Sequence, residues 1–190
     1  MEQAVGPEKA PEPKTAGRRN LIVLLAVLGV GLYSIFNLMV SNASGRAEIL
    51  KVGSQLPAFS LKFGEGKEFT NRDFAGKPTL YFFFANWCPC SHQSVDFIKQ
   101  AVAENADKGL TAVGVGIQDV PKNIETFVKR HDIKFTVGDR GGDDMAGKIG
   151  VRTTPTILLV DSGGVIRWIY IGKVERYDQI KPGLAELFKG

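Results

Sequence analysis

Hydrophobic and polar positions divide this chain into three regimes. Residues 1–20, MEQAVGPEKAPEPKTAGRRN, are rich in Pro, Glu, Lys and Ala and offer almost nothing to bury, so they are expected to form a disordered tail. Residues 21–40, LIVLLAVLGVGLYSIFNLMV, contain no charge. At ~1.5 Å per residue, a helix of that length spans about 30 Å, the thickness of the hydrocarbon layer, which predicts a transmembrane anchor. Residues 41–52 read as a short polar linker. From 53 to 190 the pattern changes to short apolar runs alternating with amphipathic stretches, as in a folded α/β domain.

Within that domain, Leu80–Ala85 (LYFFFA) is an aromatic, wholly apolar run of strand length, expected to lie centrally in a sheet. Ser91–Lys108 places Val95, Phe97, Ile98, Ala101 and Val102 at helical spacing. Thr111–Ile117 predicts a second buried strand. Pro121–His131 predicts a helix, with its proline early and Ile124, Phe127 and Val128 on one face. Lys134–Val137 reads as a short strand. Thr156–Val160 and Val165–Ile171 flank Asp161-Ser162-Gly163-Gly164, which has the composition of a hairpin turn. Asp178–Lys189 closes the chain as a helix. The order predicts a mixed central sheet flanked by helices. No internal repeat is visible.

Composition narrows the function. The net charge of +4 comes from 24 basic and 20 acidic residues interspersed without a basic stripe, which excludes a nucleic-acid partner. Lys14, Arg18 and Arg19 precede the apolar segment, whereas only Arg46 and Lys51 follow it closely. A cytoplasmic N-terminus is therefore expected, with membrane lipid around residues 21–40 and the folded domain on the extracytoplasmic side of the cell membrane. A cleaved signal sequence ending near Ser41-Asn42-Ala43 is the alternative, and it delivers the domain to the same oxidising side.

The two cysteines lie together in Phe84-Ala85-Asn86-Trp87-Cys88-Pro89-Cys90-Ser91. Cys88 follows a buried strand and precedes a helix, where unpaired amides and the helix dipole stabilise a thiolate. Pro89 suits the first helical position, and Trp87 is placed to shield the site. Further along, Thr154-Pro155 stands immediately before an apolar strand, where a cis bond would make a tight turn.

Several pieces of the chain resemble one family. They are Gly53-Ser54-Gln55-Leu56-Pro57-Ala58-Phe59-Ser60-Leu61, Gly76-Lys77-Pro78, Trp87-Cys88, and Val151-Arg152-Thr153-Thr154-Pro155-Thr156 with Asp161 and Gly164 beyond. In this order they resemble the membrane-anchored, thioredoxin-like thiol:disulfide oxidoreductases of the TlpA and ResA type, within the redoxin group that also holds the peroxiredoxins. The resemblance implies a thioredoxin-like fold and protein thiols or disulfides as substrates. It implies Cys88 as nucleophile, a cis Pro155 against the cysteines, and Thr154 backbone available to a substrate. A membrane redox partner and a place in cytochrome c biogenesis or antioxidant defence are implied at family level, and no cofactor is.

The family's Trp-Cys-x-x-Cys is replaced by Trp87-Cys88-Pro89-Cys90-Ser91, so Ser91 stands at the usual resolving position. A disulfide between Cys88 and Cys90 would close a small, strained ring, favouring an oxidase or isomerase. Cys88, Cys90 and His92 also form Cys-x-Cys-x-His, a set suited to Cu(I), so a copper chaperone for oxidase assembly is the alternative function. Otherwise His92 is an exposed residue that tunes the thiolate, and His131 a C-terminal helix charge without a role in the site. Peroxidase chemistry fits less well, because Tyr81 and Ala85 replace the proline and threonine that precede a peroxidatic cysteine. Residues 139–144 read as a turn.

Overall fold

The computed structural model describes residues 28–34, 50–66 and 68–189. The chain divides into two units, residues 1–46 and 47–190. In the first, residues 28–34 are helical, with Leu28, Val30, Leu32 and Tyr33 exposed. Most of the expected anchor at 21–40, the whole tail and most of the linker lie outside the described residues. Among the described residues no helix is long and apolar enough to cross a membrane.

The second unit is built on a five-stranded sheet. Its strands are β3 (Thr79–Phe84), β4 (Thr111–Gly116), β5 (Thr136–Gly138), β6 (Thr156–Val160) and β7 (Ile166–Ile171), in the order β5-β4-β3-β6-β7. β3, β4 and β5 run parallel, while β6 and β7 run antiparallel to their neighbours. β3 is central and wholly buried. Its Leu80, Phe82 and Phe84 face one hydrophobic cluster and its Tyr81 and Phe83 the other, the two-residue alternation of a strand covered on both faces. Full burial of each such side chain stabilises by about 1.5–3 kcal/mol.

Helix α1 (Pro89–Glu104) buries Ser91, Ser94, Val95, Ile98 and Ala101, one stripe at helical spacing. It joins the Phe82–Phe84 cluster together with α2 (Pro121–Arg130) and α4 (Lys181–Leu187). The opposite cluster takes Met145, Ala146 and Ile149 of α3 (Gly142–Ile149), with Leu56, Phe59 and Leu61. A small hairpin, β1 (Ser60–Lys62) and β2 (Glu68–Thr70), reaches the β5 edge through Asp139 N–H to Lys62 O at 2.7 Å and Lys62 N–H to Arg140 O at 3.1 Å.

The fold agrees with the mixed sheet expected, with three local differences. Residues 139–144 are not a simple turn, because α3 begins at Gly142. A Cβ on Gly142 would lie 1.9 Å from Gly116 O, so the absence of a side chain lets the helix start against β4. The closing helix is split into a 3₁₀ turn, Tyr177–Gln179, and α4. Finally, α1 begins at Pro89 and ends at Glu104, followed by a 3₁₀ turn at Ala106–Lys108.

Candidate functional site

Both cysteines lie where the loop after β3 runs into α1. Cys88 caps α1 in an extended conformation, and Pro89 takes the first helical position. Cys88 is buried and Cys90 half-buried, both as free thiols. The Cys88 N–H donates to Ala85 O at 3.2 Å, Ser91 N–H donates to Cys88 O at 3.0 Å, and Ala85 N–H reaches Ser91 Oγ at 3.4 Å. These bonds close the loop into one turn.

The neighbouring strand completes the site. The Thr154–Pro155 peptide is cis, and the Cys88 thiol donates to Thr154 O at 3.4 Å. Burial pushes the Cys88 pKa up. That is outweighed by hydrogen bonds to the thiolate from the Thr154 side chain, the Ser91 amide and hydroxyl, and the Cys90 amide. The net effect holds the thiol below its ordinary value. Ser91, fully buried at the usual resolving position, thus serves as a donor to the Cys88 sulfur.

Cys90 looks onto a different neighbour. Its carbonyl accepts from Ser94 Oγ at 2.7 Å, and Ser94 Oγ accepts from Val174 N–H at 2.9 Å. Gly172 N–H donates to Pro155 O at 2.9 Å, so the 172–174 loop is tied both to the cis-proline turn and to the first turn of α1. Lys173 within it pairs with Glu175 at 2.7 Å. Its pKa is raised by the Glu175 hydrogen bond and charge, with the charge of Cys90 acting in the same direction.

Trp87 is 57% exposed, less a shield over the thiol than an apolar platform beside it. Its indole N–H donates to Gln118 O at 2.8 Å. Gln118 adopts a left-handed backbone (φ 53°), and its N–H donates to Asp143 Oδ1 at 2.7 Å. Asp119 Oδ2 accepts from Asn86 N–H at 2.8 Å. Asn86 Oδ1 is buried without a partner, which costs about 1–3 kcal/mol.

His92 is not the exposed helix residue expected. Its Nε2 lies 2.7 Å from Asn86 O and its Nδ1 2.7 Å from Nε2 of His131. Nor is His131 a helix-end cation. Burial, then the neighbouring His92, hold its pKa below the ordinary 6.5, so it stays neutral. With both ring nitrogens of His92 engaged, the Cys88, Cys90 and His92 copper set is not assembled. Among the described residues no three His, Cys, Asp or Glu side chains form a group that could hold a metal ion. Reading the sequence missed Gln118, Asp119, Ser94 and His131. The only signal for them was position, immediately after β4, one helical turn beyond Cys90, or at the end of α2.

A Redoxin family model matches residues 51–183. The chain belongs to the Redoxin family. This redoxin is 26% identical over 158 residues to the thiol-disulfide oxidoreductase ResA of Geobacillus thermodenitrificans, covering 83% of this chain and 87% of the relative. A Chlorobium tepidum structure named as the thiol:disulfide interchange protein DsbE superposes with a TM-score of 0.66 at 25% identity, covering 73% of this chain and 99% of that one. The structure of MTB dsbF in its mixed oxidized and reduced forms gives a TM-score of 0.62 at 27% identity, covering 72% and 99%. The fold is thioredoxin-like, and this redoxin is a thiol:disulfide oxidoreductase of the ResA and DsbE type.

Proposed function

We propose that this redoxin is tethered to the membrane by residues 21–40 and exchanges disulfides with protein thiols outside the cytoplasm, using Cys88 as attacking and Cys90 as resolving thiol. The observation that carries the reading is the Cys88 sulfur itself. It is buried at the start of α1, lies 3.4 Å from Thr154 O, and is held below its ordinary pKa.

In the reducing direction the Cys88 thiolate attacks one sulfur of a substrate disulfide. The substrate S–S bond breaks, the departing thiolate takes a proton, and a mixed disulfide joins Cys88 to the substrate. Cys90, deprotonated, then attacks the Cys88 sulfur and releases the second substrate thiol. Two electrons have passed to the substrate, leaving a Cys88–Cys90 disulfide. A partner dithiol of the membrane or periplasm must return them, and the reverse sequence makes the protein an oxidant. Thr154 is half-buried beside the thiol. An extended substrate segment laid against its backbone would bring its sulfur to Cys88. Trp87 supplies apolar contact next to it.

The tether rests on the charge-free segment and the basic residues before it. Carbonate extraction should leave the full chain in the membrane fraction, and release by carbonate would rule the tether out. The exchange chemistry is tested by thiol trapping of the full chain across glutathione ratios, with and without Cu(I). A reversible two-electron transition lost in both Cys88→Ser and Cys90→Ser supports the pair. Should no intramolecular disulfide form while Cu(I) protects both thiols, the protein is a metal carrier instead.

A further inference from the structure

The chain has two histidines, and they meet beside the reactive loop although the exchange chemistry uses neither. A backbone carbonyl only accepts, so His92 Nε2 must carry a hydrogen to make its 2.7 Å bond to Asn86 O. In the neutral ring that leaves His92 Nδ1 as an acceptor, and the 2.7 Å contact is completed by a hydrogen on His131 Nε2. His131 therefore selects the tautomer in which His92 donates to the loop. The two rings lie 4.7 and 4.6 Å from Phe127, which itself packs 4.4 Å from Phe84 at the end of β3. Lys99 Nζ donates to His131 O at 3.0 Å, fixing the end of α2 to α1.

Asn86 is held at both backbone groups, its N–H by Asp119 and its carbonyl by His92. It stands two residues before Cys88, inside the turn that Cys88 N–H closes onto Ala85 O. We propose that His92 and His131 form a positioning dyad for thiol exchange. Through the Asn86 carbonyl they hold the 85–88 turn so that the Cys88 sulfur stays over the Cys90 and Ser91 amides and beside Thr154. The dyad touches neither substrate nor sulfur and acts through the loop. This extends the reading of Cys88 as the attacking thiol and rests on it.

The test is the pH profile of Cys88 alkylation by iodoacetamide in the reduced full chain carrying Cys90→Ser, so that one thiol is read. His131→Leu and His92→Leu should each raise the midpoint by about one unit, a roughly tenfold loss of thiolate well below the midpoint. His131→Gln, whose amide can donate where the ring Nε2 did, should recover most of the loss. His131→Asn, too short to reach, should not, and it replaces the leucine variant if that fails to fold. A folded His131→Leu chain with an unmoved midpoint overturns the dyad, as does a glutamine no better than leucine. A parent midpoint in the ordinary thiol range instead overturns the activated Cys88. Ring nitrogen NMR showing His92 protonated only at Nδ1 would also sink the dyad.

Discussion

The two ends of the central sheet are held in opposite ways. At the β6–β7 end, Asp161 organises its own turn: Oδ1 accepts the Gly163 and Val165 amides at 2.9 Å each, and Oδ2 accepts from Arg167 Nε at 2.6 Å. Every partner lies within 6 residues. At the other end, the Cys88 turn depends on Thr154, Gln118, Asp119 and, through His92, His131, at separations of 66, 31, 33 and 39 residues. The first is a structural turn that its own side chains specify. The second takes its shape only when three distant segments, at 118–119, 131 and 154, arrive together, so its geometry and the tertiary structure are inseparable.

The comparison breaks most severely at the sulfur. Cys88→Ser should abolish disulfide exchange in an insulin-reduction or scrambled-substrate assay, and Cys90→Ser should leave substrate trapped on Cys88 as a mixed disulfide visible on non-reducing gels. Neither outcome should follow from changes at Asp161. Next comes Gly142→Ala, whose Cβ would collide with Gly116 O. Overpacking of this kind costs about 1–3 kcal/mol, and it should also displace Asp143 from Gln118, lowering the melting temperature and the exchange rate together.

Asp161→Ala should cost about 0.5–1.5 kcal/mol, by removing the hydrogen bonds that close its turn onto exposed and half-buried donors, while exchange by the remaining folded protein is unchanged. If exchange falls in proportion, the two ends are coupled and the contrast fails. The smallest effects are those of pH. Because His131 takes its proton at lower pH in the folded chain than in the unfolded one, the unfolded state holds more protons just below 6.5. Stability should therefore fall with acidification through that window in urea melts, and the fall should vanish in His131→Gln. The Asp161 carboxyl, where burial is outweighed by the Val165 and Gly163 amides and by Arg167, is held below its ordinary 3.8. It adds stability above that value, lost as pH drops through its lower folded value.

Much of the fold was legible. LYFFFA could only be a strand covered on both faces, and TILLV-DSGG-VIRWIYI could only be a hairpin, because apolar alternation and turn chemistry are local properties. The start of α3 was hidden because its Asp- and Gly-rich opening looks like a turn until Gly116 is seen beneath Gly142. At the site, the strand-to-helix position of Cys88 and the role of Thr154-Pro155 as its neighbour could be read. Gln118, Asp119 and His131 could not, since nothing in their immediate sequence distinguishes them from ordinary loop and helix-end residues.

The sequence by itself determined the sulfur chemistry, two thiols at the start of a helix, and the order of strands and helices that carries them. Tertiary structure alone decided how the thiols differ. It buried Cys88 among donors from Thr154, Ser91 and Cys90 while leaving Cys90 half-buried beside Lys173, and it set His92 against the Asn86 carbonyl of the loop with His131 behind it. The physical reason is range. Backbone periodicity and turn preferences act over a few residues, whereas the hydrogen bonds and desolvation that set a thiol's pKa come from whatever the fold packs against it.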